Sequence, residues 1–257
     1  MTWQQQWIAF YTILIKEILR FLRIWKQTIL PAVITTILYF IIFGHLIGAA
    51  IGDMEGVPYH NFIVPGLVMM TVISNAYGNT VASFFSAKFH GHIEEMLVSP
   101  TPNTIILLGF IGGGVARGLV VGLAVISVVL LFTELSINNP LITLSIVILT
   151  SILFSLAGII NGIYAQSFDD ISIIPTFVLT PLTYLGGVFY SISMLPEFWQ
   201  NISLFNPILY MVNGFRYGIL GISDIDLALS YTITIGFIAI LFFYTLYLLR
   251  MGKGLRT

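Results

Sequence analysis

The sequence contains no cysteine, which excludes disulfides, thiolate metal sites and cysteine nucleophiles and leaves the redox compartment open. Charge is almost as scarce. Ten Lys and Arg and eleven Asp and Glu make up 8% of 257 residues, against about 25% in soluble domains. With 58% hydrophobic residues, such a chain has too little polar surface to cover a water-soluble globule and reads as a polytopic, all-α membrane protein in the lipid bilayer. A formal net charge of −1 gives no basic excess for nucleic acid. The N-terminus has no signal-peptide pattern, because charges interrupt its apolar residues, so the mature chain is expected to start at or near Met1.

Six spans are expected, at roughly Thr28 to Gly48, Asn61 to Ser83, Thr104 to Phe132, Pro140 to Ala165, Ile173 to Tyr190 and Leu227 to Leu249. Before them, Trp3 to Lys26 reads as an interfacial amphipathic helix. Trp7, Tyr11, Leu14, Ile18, Leu22 and Trp25 recur at three- and four-residue steps, with Lys16, Arg20 and Arg23 on another face. Basic residues set the orientation. Lys16, Arg20, Arg23, Lys26, Lys88, Arg250, Lys253 and Arg256 fall on one side, which places both termini in the cytoplasm. The opposite loops carry Asp53, Glu55, Glu134, Glu197, Asp224 and Asp226, and only Arg216 among the basic residues is expected outside.

Two stretches break the pattern. Phe84 to Asn103 is the longest polar interruption, with Lys88, His90, His92, Glu94 and Glu95 close together, and it is expected to sit in water as a docking element. Ser191 to Gly221 is apolar and aromatic yet cut by Pro196 and Pro207, leaving pieces too short to cross about 30 Å of hydrocarbon. It reads as a re-entrant helical hairpin in the outer leaflet, with Phe198, Trp199, Tyr210 and Tyr217 at the interface.

Four-residue glycine steps at Gly44/Gly48/Gly52, Gly114/Gly118/Gly122, Gly158/Gly162 and Gly214/Gly218 suit close helix packing. Gly109 to Gly114 has the glycine spacing of a phosphate loop, but Val115 and Ala116 stand where Lys and Ser or Thr are needed, so no nucleotide site is encoded there. Metal binding is not expected at His90 and His92, because two positions along one helix the rings splay about 200° apart. Arg117, inside the third span, has two readings: a functional cation facing a watery cavity, or a structural charge paired with backbone carbonyls or with Asp169 or Asp170. No catalytic set converges in the sequence, although His45, His60 and the Asp169–Asp170 pair leave an intramembrane lipid-modifying enzyme as an alternative. A proton-driven transporter would need charges at mid-membrane on several spans, and only Arg117 qualifies.

The succession Leu179, Leu182, Leu185, Gly186, Val188, Leu195–Pro196, Pro207–Ile208, Tyr210 and Arg216 resembles the signature of ABC-2 type transporter membrane subunits. Glu94 to Pro100 resembles that family's cytoplasmic coupling helix and Trp3 to Lys26 its connecting helix, so the likeness covers essentially the whole of 1–257 as one transmembrane domain. It implies a homodimer served by two separate ATPase subunits, which hold the ATP and Mg that this chain does not bind. Lys88, His92, Glu94, Glu95, Asp169 and Asp170 are the residues expected to face the ATPase, and Arg117, Tyr210 and Arg216 those expected in translocation or gating. The implied cargo is amphipathic or lipid-like, exported across the bacterial inner membrane, with a lipid-linked glycan or polysaccharide as the alternative.

Overall fold

The structure is a computed structural model describing every residue except Glu134, Lys253 and 255–257, and the backbone but not the side chain of His45. The expectations placed on Glu134, Lys253, Arg256 and the His45 ring therefore lie outside the described residues. The fold is helical almost throughout.

Helix α1 is Trp3–Arg23. A reciprocal cap starts it: the Thr2 hydroxyl accepts from the Gln5 amide, and the Gln5 side chain accepts from the Thr2 amide at 2.8 Å. Helix α2, Trp25–Ile51, follows, with a π-helical stretch at Phe40–Ile47, and stops at Gly52, whose φ of +78° suits glycine. The chain then reverses through strands β1, Asp53–Met54, and β2, Val57–Pro58, paired antiparallel. Their two-residue loop, Glu55 and Gly56, has positive φ at both positions, as a tight hairpin turn requires.

Helix α3, Tyr59–Phe89, is the hub of the bundle: most of its residues are buried although its mean hydropathy, 1.2, is the lowest of the long helices. Around it stand α4, His92–Val98; α5, Asn103–Val129; and α6, Pro140–Tyr164. Helix α7 covers 170–184, and then come α8, Glu197–Leu204; α9, Pro207–Leu220; and α10, Leu227–Met251.

Lipid tails are as apolar as leucine, so close approach and polar contacts hold such helices together rather than transfer from water. The glycines supply the approach. A side chain at Gly114 or Gly118 would run into Ser155 or Ser151 of α6, and one at Gly158 would meet the Tyr77 carbonyl of α3. Gly66 lies against the Val188 backbone, drawing the chain after α7 onto α3.

Among the described residues, five helices are long and apolar enough to span a bilayer: α2, α3, α5, α6 and α10. The expected fifth span, Ile173 to Tyr190, is not a sixth such helix. Pro175 and Pro181 remove backbone donors, the middle winds as a π turn, and regular helix ends at Tyr184, giving fifteen residues or about 22 Å. The docking element also differs from expectation. Residues 84–89 are the last turns of α3, with Phe84, Phe85, Ala87 and Lys88 buried, and only α4 stands apart. In the hairpin region, α8 and α9 are two short helices divided at Asn206, whose side chain accepts from the Ile208 amide at 3.0 Å.

Candidate functional site

The polar side chains gather in three places along the bundle. At the end bearing α4, helix α1 lies across α3 and α5. Ile13, Leu14 and Glu17 fill the grooves left by Gly109, Gly112 and Gly113, so the segment rejected as a phosphate loop is a landing strip for α1. Glu17, wholly buried, accepts a 2.7 Å hydrogen bond from the Ser83 hydroxyl and pairs with Arg20 at 3.4 Å. Arg20 also donates to the Asn79 carbonyl at 2.9 Å and to its side-chain oxygen at 2.7 Å. Of the apolar stripe expected from periodicity, Trp7, Tyr11, Leu22 and Trp25 are exposed, whereas Leu14 and Ile18 are half-buried.

Next to this node, Gly91 in the left-handed region breaks the helix, and α4 leaves the bundle with Ile93 buried and His92, Glu94 and Glu95 exposed. The break changes the geometry of the histidines. His90 and His92 do not splay; their rings stack with centroids 5.9 Å apart, because they are not on one continuous helix. No group of three or more metal ligands forms among the described residues.

Lys88, expected to face the ATPase, is turned into the bundle. Its ammonium is buried and donates to the Ile163 and Ala165 carbonyls, both at 2.7 Å, satisfying orphan acceptors at the end of α6. The following turn is tied by Asp170, whose carboxylate accepts from the Gln166 amide at 2.8 Å and the Ser167 amide at 3.0 Å. These contacts, the Gln166 amide foremost, hold the Asp170 carboxyl below its ordinary range. Asp169 and Asp170 both remain exposed.

Arg117 lies halfway along α5. Its partner is neither a backbone carbonyl nor Asp169 or Asp170, but the Asn75 side-chain oxygen, which accepts from Nε at 3.2 Å and Nη2 at 2.9 Å. The Asn75 amide is fixed in turn by the Thr71 carbonyl at 3.0 Å, and the Thr71 hydroxyl meets that of Thr36 on α2 at 3.1 Å.

At the opposite end, Arg216 is 1% exposed. Its guanidinium lies 4.0 Å over the Phe62 ring, donates to the Gly187 carbonyl and stands 3.7 Å from Asp224. Asp224 accepts from the Ser191 hydroxyl at 2.7 Å and the Ile192 amide at 3.2 Å, and Asn213 accepts from the Asp224 amide at 3.0 Å. The node joins α3, α9, the chain before α8 and the chain after α9. Tyr210 is buried as well, donating to the Leu204 carbonyl at 2.7 Å, whereas Phe198, Trp199 and Tyr217 are exposed.

The sequence profile of the ABC-2 type transporter family matches residues 8–220. The chain belongs to that family. Among its relatives, the inner membrane transport permease YadH of Escherichia coli strain K12 is 54% identical over 251 residues, covering 98% of both chains. More distant are nodulation protein J of Sinorhizobium fredii, 25% identical over 75% of each chain, and that of Rhizobium leguminosarum bv. viciae, 23% identical over 88% of this chain and 89% of the relative.

An ABC-2 permease is a transport subunit rather than an enzyme, and proteins of this family work with an ATP-binding subunit. For a permease of this kind the structure brings together residues that periodicity kept apart. Glu17, Asn75, Asn79 and Ser83 were absent from the expected site. For the three on α3 the visible signal is the run of amides and hydroxyls at Thr71, Asn75, Asn79 and Ser83, spaced by four along one face of an intramembrane helix.

Proposed function

We propose that this ABC-2 permease is the transmembrane half of an ATP-driven exporter of an amphipathic or lipid-like cargo in the bacterial inner membrane. Two copies pair, and each engages one ATP-binding subunit. The end bearing α1, α4 and the 165–170 turn faces the cytoplasm, with both chain termini on that side, in keeping with the basic residues of α1. The segment 170–184 with the irregular chain after it completes a sixth crossing, and α8 and α9 dip into the outer leaflet. The inner-membrane assignment follows the name of the 54% identical relative.

The observation that carries this reading is α4 itself. It is an amphipathic helix of about two turns that anchors by Ile93 and presents Glu94 and Glu95 away from the bundle. It follows the hub helix directly, through one glycine, and so moves with α3. Nucleotide-driven closure of the partner subunits would push on α4, and the push would reach α3 and, through the Glu17–Ser83 contact, α1. Two packings of one bundle, biased differently by the ATP-bound and ATP-free partners, are the physical requirement for such a pump.

The test is co-purification with the ATP-binding subunit that serves this permease, comparing wild type with Glu94→Lys/Glu95→Lys. Loss of the ATP-binding subunit with the permease dimer intact is expected. Undiminished binding and coupled hydrolysis would remove α4 as the docking element.

A further inference from the structure

Three arginines reach into the helix bundle among the described residues, and two have carboxylates: Arg20 has Glu17 and Arg216 has Asp224. Arg117 has none within 4.0 Å among the described residues. Two of its nitrogens share one neutral amide oxygen, and Nη1 has no partner among the described residues. An amide dipole orients a guanidinium without neutralising it, so the positive charge is left standing at the middle of the bundle.

Arg117 also lines a cleft of about 310 Å³ between α2 and α3, floored by α5. The cleft has two chemistries. Asn75, Ser74 and Thr35 make a polar patch at the arginine, and Pro31 and Met70 lie among its apolar walls. A planar fork of donors with unspent charge matches a phosphate or carboxylate, and the apolar wall matches a hydrocarbon tail. We propose that Arg117 holds the anionic headgroup of an amphipathic cargo in this cleft, which makes the cargo an anionic lipid-like molecule. The inference rests on the export reading for the word cargo, but the binding site stands on its own geometry.

The experiment titrates the detergent-solubilised permease–ATPase complex with fluorescent short-chain phosphatidate, with phosphatidylcholine of the same chains, and with inorganic phosphate as competitor. Phosphatidate is expected to bind at least about tenfold more tightly than phosphatidylcholine, with phosphate competing poorly. Arg117→Gln removes the preference and Arg117→Lys keeps part of it. Asn75→Asp supplies an internal carboxylate to an intact arginine and also removes it, so the result does not hang on one variant's folding. Equal affinities in the wild type, or a preference that survives both Arg117→Gln and Asn75→Asp, overturns the proposal; full competition by phosphate alone overturns its lipid-like part. ATP hydrolysis by the complex without probe reports on the export reading separately, since a chain that recruits no ATPase can still discriminate the two lipids.

Discussion

The Glu17 carboxylate accepts a 2.7 Å hydrogen bond from the Ser83 hydroxyl, joining two residues 66 positions apart that both lie out of reach of solvent. Glu17 belongs to α1 and Ser83 to the last third of α3, seven residues before the chain turns toward α4. Helix α1 is thus bolted to the segment of α3 that leads into α4, and Arg20 on Asn79 adds a second bolt one turn away.

Glu17→Ala leaves Arg20 without its counter-charge and strands the Ser83 hydroxyl. Breaking a buried ion pair from one side costs about 3–5 kcal/mol, whereas Ser83→Ala, which removes one hydrogen bond to a charged group, costs about 1.5–3 kcal/mol. Thermal unfolding of the detergent-solubilised permease should rank the two in that order. Equal, small shifts would mean that α1 is held by its apolar contacts alone.

The glycines differ sharply in what a side chain would meet. At Gly113 an added Cβ runs into the Glu17 stem, so Gly113→Val should cost about 1–3 kcal/mol and loosen α1. At Gly78 nothing lies within 4 Å, so Gly78→Ala should be neutral or stabilising by up to about 1 kcal/mol through helix propensity. Denaturation midpoints of the two variants check the contrast. A tolerated Gly113→Val would contradict the landing-strip role of this stretch.

Lys88 is a staple on the end of α6, and Lys88→Met should raise amide exchange across 163–170 while leaving ATPase recruitment in place, because the ammonium is spent on the Ile163 and Ala165 carbonyls. Lost recruitment with unchanged exchange would return Lys88 to the docking surface.

At the other end, Arg216→Met and Asp224→Asn act on one node. Each should destabilise, and their effects should fall short of additive by about 0.5–3 kcal/mol in a double-mutant cycle. Additive losses would show that Arg216 is held by the Gly187 carbonyl and the Phe62 ring and not by Asp224.

Five of the six expected spans are legible in the sequence, because runs of some twenty apolar residues have few other meanings, and α2, α3, α5, α6 and α10 sit close to their expected positions. The errors have physical causes. Hydropathy does not register that Pro175 and Pro181 cut short the run from Ile173, and an aromatic-rich stretch looks the same whether it spans or folds back. Charge was misplaced for a related reason. Lys88 is expected in water because lipid rejects it, yet a bundle can bury a cation, as it does Lys88 and Arg216, if carbonyls, a ring face or a carboxylate receive it, and sequence spacing does not show such distant partners. Arg117 was singled out by depth alone, but its partner Asn75 lies on another helix. Gly91 decided the fate of both histidines: a continuous helix would have separated the rings, and the left-handed break stacks them.

The most direct test of the account is transport in proteoliposomes containing this permease with and without its ATP-binding subunit. Movement of a fluorescent anionic lipid analogue is predicted only when both subunits and hydrolysable ATP are present, and it should vanish in Glu94→Lys/Glu95→Lys. Transport by the permease alone, or at the same rate without ATP, would contradict it.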